Sequence, residues 1–307
     1  MHTSAMALRR SHVVLAAAVA VLAAAASGCG SSSIAVPALT NFTQVAQTSS
    51  AVQTAKFSLA LDVTIPGLGK KLSLSAEGGF DTTAKRAQLK VDLSALAELL
   101  KSVGAGLGGV TASDLGNPGD WKLEAIQDGD TAYIHFPLLA KQLPAGKTWI
   151  KGNAKELSGP GAGQLGRVGS FAGTDPRSVF ALLKAVSGSI EAVGSEKIRG
   201  VETSHYRATI DSAKLQQLVP ANKQQSLGGL NQAANQAGVK ELPLDIWIDA
   251  EQRVRKIAVD LNAKQPGAGT PIKASLVVEF YDYGTPLDLQ LPPADLVVDA
   301  ASLQKPK

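Results

Sequence analysis

The chain alternates apolar and polar residues over long stretches. In KFSLALDVTI, Phe57, Leu59, Leu61, Val63 and Ile65 take every second position, with Lys56, Ser58, Ala60, Asp62 and Thr64 between them. Period two is the repeat of a β-strand with one face against apolar surroundings. KLSLSAEGGF repeats it through Leu72, Leu74, Ala76 and Phe80, and AQLKVDL through Leu89, Val91 and Leu93, with turns marked by Pro66, Gly67, Gly69 and Asp81. WKLEAI and TAYIHF flank Asp128-Gly129-Asp130 and predict a hairpin, followed by a strand at TWIKG. Four more strands are expected at GVETSHYRATI, LPLDIWIDA, RVRKIAVDL and IKASLVVEFYDYG. No fixed internal period accompanies them, which excludes a solenoid or a propeller.

Helical spacing interrupts the strands. Residues 38–54 place Leu39, Phe42, Val45, Ala46 and Val52 on one side of a helix, and SALAELLKSV carries Leu96, Leu99, Leu100 and Val103 at i, i+3, i+4 and i+7 before glycines end it. TDPRSVFALLKAVSG predicts a third helix, capped by Thr174 or Asp175, with Pro176 in its first turn. Its apolar stripe is Val179, Leu182, Leu183 and Val186, and Gly188 is its stop. Gly152 to Gly173 is expected to be a loop, and DSAKLQQLVP to open a helical region that fades into a Gln, Asn and Gly-rich segment ending at Gly238. The class is α+β: an antiparallel sheet whose single apolar face must be covered by helices or by something else apolar. The side chains expected on that face are Phe57, Leu59, Leu61, Val63, Leu72, Leu74, Leu89 and Val91 from strands, with Leu96, Leu100, Val179, Leu182, Leu183 and Val186 from helices. Together they are the candidate lining of a hydrophobic cavity.

The amino terminus follows a different pattern. Arg9 and Arg10 precede an unbroken apolar run from Val13 to Ala26, short of the roughly 20 residues that a membrane span needs. Basic residues, an apolar stretch and then small residues make a secretory signal. Ser27 and Gly28 lead into Cys29, the single cysteine of the 307-residue chain, and this stretch resembles a bacterial lipobox with Ala26 where leucine is usual. The resemblance implies that Cys29 receives a diacylglycerol and becomes the mature amino terminus. The expected organisation is a signal peptide with lipobox over 1–28, a lipidated tether over 29–37, a single domain over 38–300 and a tail over 301–307.

Loss of residues 1–28 removes Arg9 and Arg10 and no acidic residue, so the formal charge falls from +4 to +2. Near neutrality gives no electrostatic basis for nucleic-acid binding. The mature chain keeps two histidines, His135 and His205, and no free thiol once Cys29 is acylated, which argues against a metal site, a cofactor and His- or Cys-based catalysis. Two GxGxxG matches, at Gly104 and Gly161, lack the strand-turn-helix setting of a phosphate cradle and read as loops. Asp245, Trp247 and Asp249 share a strand face and read as solvated, and His205 sits between Thr203 and Arg207 on what reads as a polar surface. No catalytic residue, metal ligand or cofactor is expected; the chain is expected to be a monomer and not an enzyme.

The succession GVETSHYRATI, DIWIDAEQRVRKIAVDL and EFYDYGTPLDLQLPP resembles the carboxyl-terminal half of the actinobacterial LppX/LprG-type lipoproteins, relatives of the LolA-like carriers. The resemblance implies a strongly curved antiparallel sheet, a half-barrel with helices covering its concave face, and an apolar cavity for acyl chains. It leaves two functions open. One is a membrane-anchored extracytoplasmic lipoprotein that binds a lipid, glycolipid or other hydrophobic ligand as a carrier or presenter. The other is an envelope interaction or stress-sensor module with a filled core and no bound lipid.

Overall fold

A computed structural model of the chain describes residues 41–303 apart from 66–68, 105–110, 112–114, 141, 158–175, 212, 215–216, 218–238 and 264–271. Residues 36–307 form one compact unit. The strands are β1 (Thr54–Ile65), β2 (Lys70–Asp81), β3 (Arg86–Asp92), β4 (Lys122–Asp128), β5 (Thr131–His135), β6 (Trp149–Asn153), β7 (Val186–Ile198), β8 (Val201–Asp211), β9 (Glu241–Ile248), β10 (Val254–Ala263), β11 (Ile272–Tyr281) and β12 (Val297–Asp299). They build one open, curved sheet of 12 strands in the order β12-β6-β5-β4-β3-β2-β1-β11-β10-β9-β8-β7. Every pairing is antiparallel except β12 with β6. The sheet is therefore two meanders joined where the first strand, β1, pairs with the late strand β11.

Helices are few. α1 (Phe42–Ser50) begins at Asn41, whose side chain accepts from the backbone N–H of Thr43 at 2.9 Å and of Gln44 at 3.4 Å. α2 (Ser94–Ser102) follows β3, and short turns of helix lie at α3 (Pro137–Ala140), α4 (Ala154–Leu157), α5 (Ala181–Lys184) and α6 (Ala300–Leu303). Two apolar cores result. In the first, Phe42, Val45 and Ala46 of α1 and Leu182 and Leu183 of α5 pack against β8 to β11, with Phe180 and Phe280 at 4.8 Å between ring centres. In the second, Ala97 of α2 meets Trp121, Leu123, Ile134 and Ile150 beside β4 to β6. Ser49 ties α1 to the sheet, its hydroxyl accepting from the backbone N–H of Val254 at 3.0 Å.

Glycines shape the centre of the sheet. Gly78 in β2 lies opposite Phe57, and a Cβ there would fall 2.6 Å from the Phe57 Cζ and 2.2 Å from the carbonyl oxygen of Gln88. The ring of Phe57 thus occupies the space that a side chain at 78 would take. On the other face, Gly79 makes room for Leu287, whose Cδ1 would lie 2.6 Å from its Cβ. Leu287 belongs to the segment after β11. That segment is fixed by the Gly284 N–H to the Thr54 carbonyl at 3.0 Å, and by the Thr148 N–H to the Leu296 carbonyl at 2.9 Å. It carries the chain from the middle of the sheet to the far edge, where β12 joins β6.

Three expectations are corrected. The helix expected from Thr174 to Gly188 ends early: a 3₁₀ turn over Pro176–Phe180 runs into α5, and Val186 is already the first residue of β7. Gly188, with φ +75°, lies inside that strand and stops no helix. β7 carries no apolar alternation in its sequence because it is an edge strand exposed along most of its length. The loop expected from Gly152 also starts later, since Gly152 and Asn153 belong to β6 and α4 follows; the remainder, 158–173, lies outside the described residues. The solvated face expected for Asp245, Trp247 and Asp249 is not solvated as a whole. Trp247 is 6% exposed, and the Asp249 side chain is fully buried. The tight β9–β10 turn, with Gln252 at φ +60°, brings Arg253 Nε within 3.0 Å and Arg255 Nε within 2.7 Å of Asp249 Oδ2, while Asp249 Oδ1 accepts from the backbone N–H of Arg253 at 2.9 Å. Both guanidinium groups lie over the Tyr283 ring, whose hydroxyl donates to the Val254 carbonyl.

Candidate functional site

The candidate site is the part of the apolar face that neither core covers. Register places Leu61 opposite Leu74 of β2 and Leu276 of β11, and Val63 opposite Leu72 and Ala274. Directly paired residues in antiparallel strands share a face, so these side chains form one patch across β11, β1 and β2. All of them are half-buried. Leu61, Val63 and Leu72 contribute to neither core cluster, whereas Ala274 and Leu276 border the first and Leu74 borders the second. Leu89 touches both. The floor therefore occupies the seam between two packed ends of a single sheet.

The candidate lining divides accordingly. Phe57, Val179, Leu182 and Leu183 are buried in the first core, with Leu59 and Val186 packed against its edge. Val91, Leu96 and Leu100 join Leu74 at the edge of the second. Ile65 has no described side chain, and Cys29 lies outside the described residues. Leu276 and Ala274 were absent from the expected lining; the alternation in IKASLVVEF is the signal that identifies them.

The opposite face of the same strands is polar. Asp62 pairs with Lys71 at 3.0 Å, Lys122 with Asp92 at 3.5 Å, and Arg86 with Asp128 at 2.8 Å. The Ser73 hydroxyl and the Lys71 ammonium hold the Asp62 carboxyl below the usual carboxylate range. Asp92 is lowered by the hydroxyl and backbone N–H of Ser94 at the start of α2, and then by Lys122. Burial raises the Tyr283 phenol. A groove of 530 Å³ crosses this face, with small residues Ser58, Ala60 and Ser75 on its floor and Arg199, Glu279, Lys90 and Lys122 on its sides.

His205 is half-buried on the polar face. Its Nε2 donates to Asp245 Oδ1 at 2.7 Å and its ring stacks on Trp247 at 4.2 Å, only 10° from parallel. The hydroxyl of Thr203 is engaged elsewhere, donating to the Glu196 carbonyl at 2.6 Å. Among the described residues no cluster of His, Cys, Asp and Glu could hold a metal, and no helix is long and apolar enough to cross a membrane.

LppX of Mycobacterium tuberculosis matches 80% of this chain and 94% of its own at 16% identity, with a TM-score of 0.41. LprF of Mycobacterium bovis matches 81% and 95% at 13% identity, also with a TM-score of 0.41. The chain is similar to these lipoproteins. An uncharacterized 31.2 kDa protein of Streptomyces griseus is 28% identical over 191 residues, which is 61% of this chain and 59% of that relative. The match thus spans about three fifths of the relative's length. No family model matches the chain.

Proposed function

We propose that this protein is an LppX/LprG-type, LolA-like lipoprotein, acylated at Cys29 and held at the extracytoplasmic face of the cell membrane, that binds the acyl chains of a lipid on the floor around Leu61. One observation carries the ligand reading: Leu61, Val63 and Leu72 sit side by side on the apolar face of the sheet, only partly buried and outside both cores. Exposed apolar surface that is contiguous rather than scattered marks a site for another apolar body. An acyl chain laid there gains roughly 0.8 kcal/mol per buried CH₂ group, so ten such groups outweigh the ordering of the chain. The reading of Cys29 rests on the lipobox-like Ser27-Gly28-Cys29 and on the absence of a second cysteine. With the Thr203 hydroxyl beside His205 engaged by the Glu196 carbonyl, the protein is read as a binding protein and not as an enzyme.

The test separates ligand binding from folding. Leu61→Glu places a carboxylate on the floor at a partly buried position, where it can keep partial hydration and destabilises the fold far less than a charge in either core. The expected result is an unchanged circular dichroism spectrum and lost uptake of a fluorescent fatty-acyl probe. Native mass spectrometry of wild-type protein from its own host should show lipid adducts. A single apo mass together with no probe uptake would replace this reading by that of an interaction or stress-sensor module.

A further inference from the structure

The β7–β8 hairpin does not end where the sheet ends. β8 pairs with β9 only from Ser204 onward, opposite Ile248, yet β7 and β8 stay paired beyond that point to the turn at Arg199 and Gly200. Both turn residues are left-handed, with φ +48° and +82°, as a tight hairpin turn requires. Arg199 is nevertheless not free at the tip. Its Nε donates to Glu279 Oε2 at 2.8 Å, its NH2 to Ser58 Oγ at 3.0 Å, and its guanidinium lies 3.9 Å from the centre of the Tyr281 ring. Those residues belong to β11 and β1, three and four strands from β8. Adjacent strands lie about 4.8 Å apart, so the tip reaches about 14 Å across the sheet.

Register identifies what it crosses. His205, Trp247, Lys256, Glu279 and Ser58 are successive cross-strand partners, one row over the polar face of β8, β9, β10, β11 and β1. The hairpin bends back along this row. A register shift in β7 between Ala192 and Gly194, opposite Tyr206 and His205, lies at the bend, where a bulge gives a strand the extra turn it needs. Trp247 is buried although it belongs to the polar face, with His205 stacked on it and the Lys256 ammonium 4.2 Å from its ring centre. Its Nε1–H has no hydrogen-bond partner among the described residues. A buried donor without a described partner therefore lies on the row that the hairpin crosses, a cost that local opening of this face would relieve.

We infer that the β7–β8 hairpin is a releasable strap, latched by Arg199 across the polar face, that holds β8 to β1 in the one sheet shape that carries the apolar floor. The latch and the floor share their strands. Ser58 and Glu279 alternate with Leu59 and Val278, so the latch grips one face of β1 and β11 while the proposed acyl site uses the other. Tying β8 to β1 limits relative movement of the strands from β8 to β1, and two of these, β11 and β1, carry part of the floor. The contacts are partly exposed, so salt and single substitutions weaken them without unfolding a core. Coupling is reciprocal: a ligand that favours the sheet shape of the latched state protects the strap, and release of the strap hastens loss of that ligand. This control rests on the reading of the floor as an acyl site.

The test uses the full chain in phosphatidylcholine vesicles, as wild type, Arg199→Ala, Arg199→Lys and Glu279→Gln. Hydrogen exchange of Ile198 to Ser204 and Ile246 to Ile248 is measured beside transfer of a fluorescent fatty-acyl probe from the protein to acceptor vesicles. Arg199→Ala should raise exchange in both segments about tenfold and speed probe release, because an ion pair and a cation–π contact are lost together. Glu279→Gln and high salt should act in the same direction. Arg199→Lys, which keeps the charge and loses the forked contact with Ser58, should fall between. Equal exchange in Arg199→Ala and wild type would overturn the strap. Faster exchange with unchanged release would overturn its control of the floor. If wild type takes up no probe, the acyl reading fails by itself, and the exchange comparison still upholds or overturns the latch.

Discussion

Replacing Gly78 by alanine is the sharpest test of how the centre of the sheet is packed. The added Cβ would lie 2.2 Å from the Gln88 carbonyl oxygen, 2.6 Å from Phe57 Cζ and 2.9 Å from Phe57 Cε1. The first is a backbone atom of β3, held by its neighbours in the ladder, and the second belongs to a ring packed 6.5 Å from that of Phe280. Neither can yield without displacing other atoms, so the cost should reach about 3 kcal/mol, the upper end for overpacking. In a domain of this size that lowers the melting temperature by roughly 6–12 °C. Gly79→Ala is the control, since its contact at 2.6 Å is the methyl end of Leu287, on an outer segment that can turn aside. Its cost should stay below about 1 kcal/mol. Thermal melts and urea titrations followed by circular dichroism would read both. A Gly78→Ala variant melting within about 2 °C of wild type, or a Gly79→Ala variant that is the worse of the pair, would refute the packing argument. Adding Phe57→Leu to Gly78→Ala should restore only part of the loss, because the clash with the Gln88 carbonyl remains.

Other outcomes follow from the ion pairs and from the amino terminus. Asp249→Ala leaves Arg253 and Arg255 without their shared carboxylate in a buried turn and should cost about 3–5 kcal/mol in urea unfolding. The Asp92 carboxyl is lowered in the folded state, so its contribution is fully present above its unfolded value of 3.8 and is lost as pH falls through the lower folded value. Asp92→Asn should therefore be less stable than wild type at neutral pH, and the two should converge in acid melts below pH 3.8. Cys29→Ser should shift the protein from the detergent phase to the aqueous phase in a partition experiment, since acyl chains supply the proposed anchor. Aqueous partition of both forms would dismiss acylation.

Periodicity determined the strands that have two unlike faces. The alternation from Phe57 to Ile65 located β1 and its apolar side, and Asp128-Gly129-Asp130 located the β4–β5 hairpin, because side-chain period and turn chemistry are local properties of a chain. β7 had no such signal, since a strand exposed at an edge need not separate apolar from polar residues. Nor could alternation tell Phe57, sealed in a core, from Leu61, left only partly buried four residues later in the same strand. That difference depends on where α1, α5 and α2 come to rest, and each covers one end of the sheet and stops short of the seam. Asp249 is the reverse case, a residue whose charge suggested water and whose tight turn supplied two guanidinium groups instead. The Arg199 latch joins residues 80 and 141 positions apart, and it exists only because a bend in one hairpin carries its tip over strands that lie far away in the chain. A sequence records which face of a strand is apolar; only the meeting of distant elements decides what covers that face.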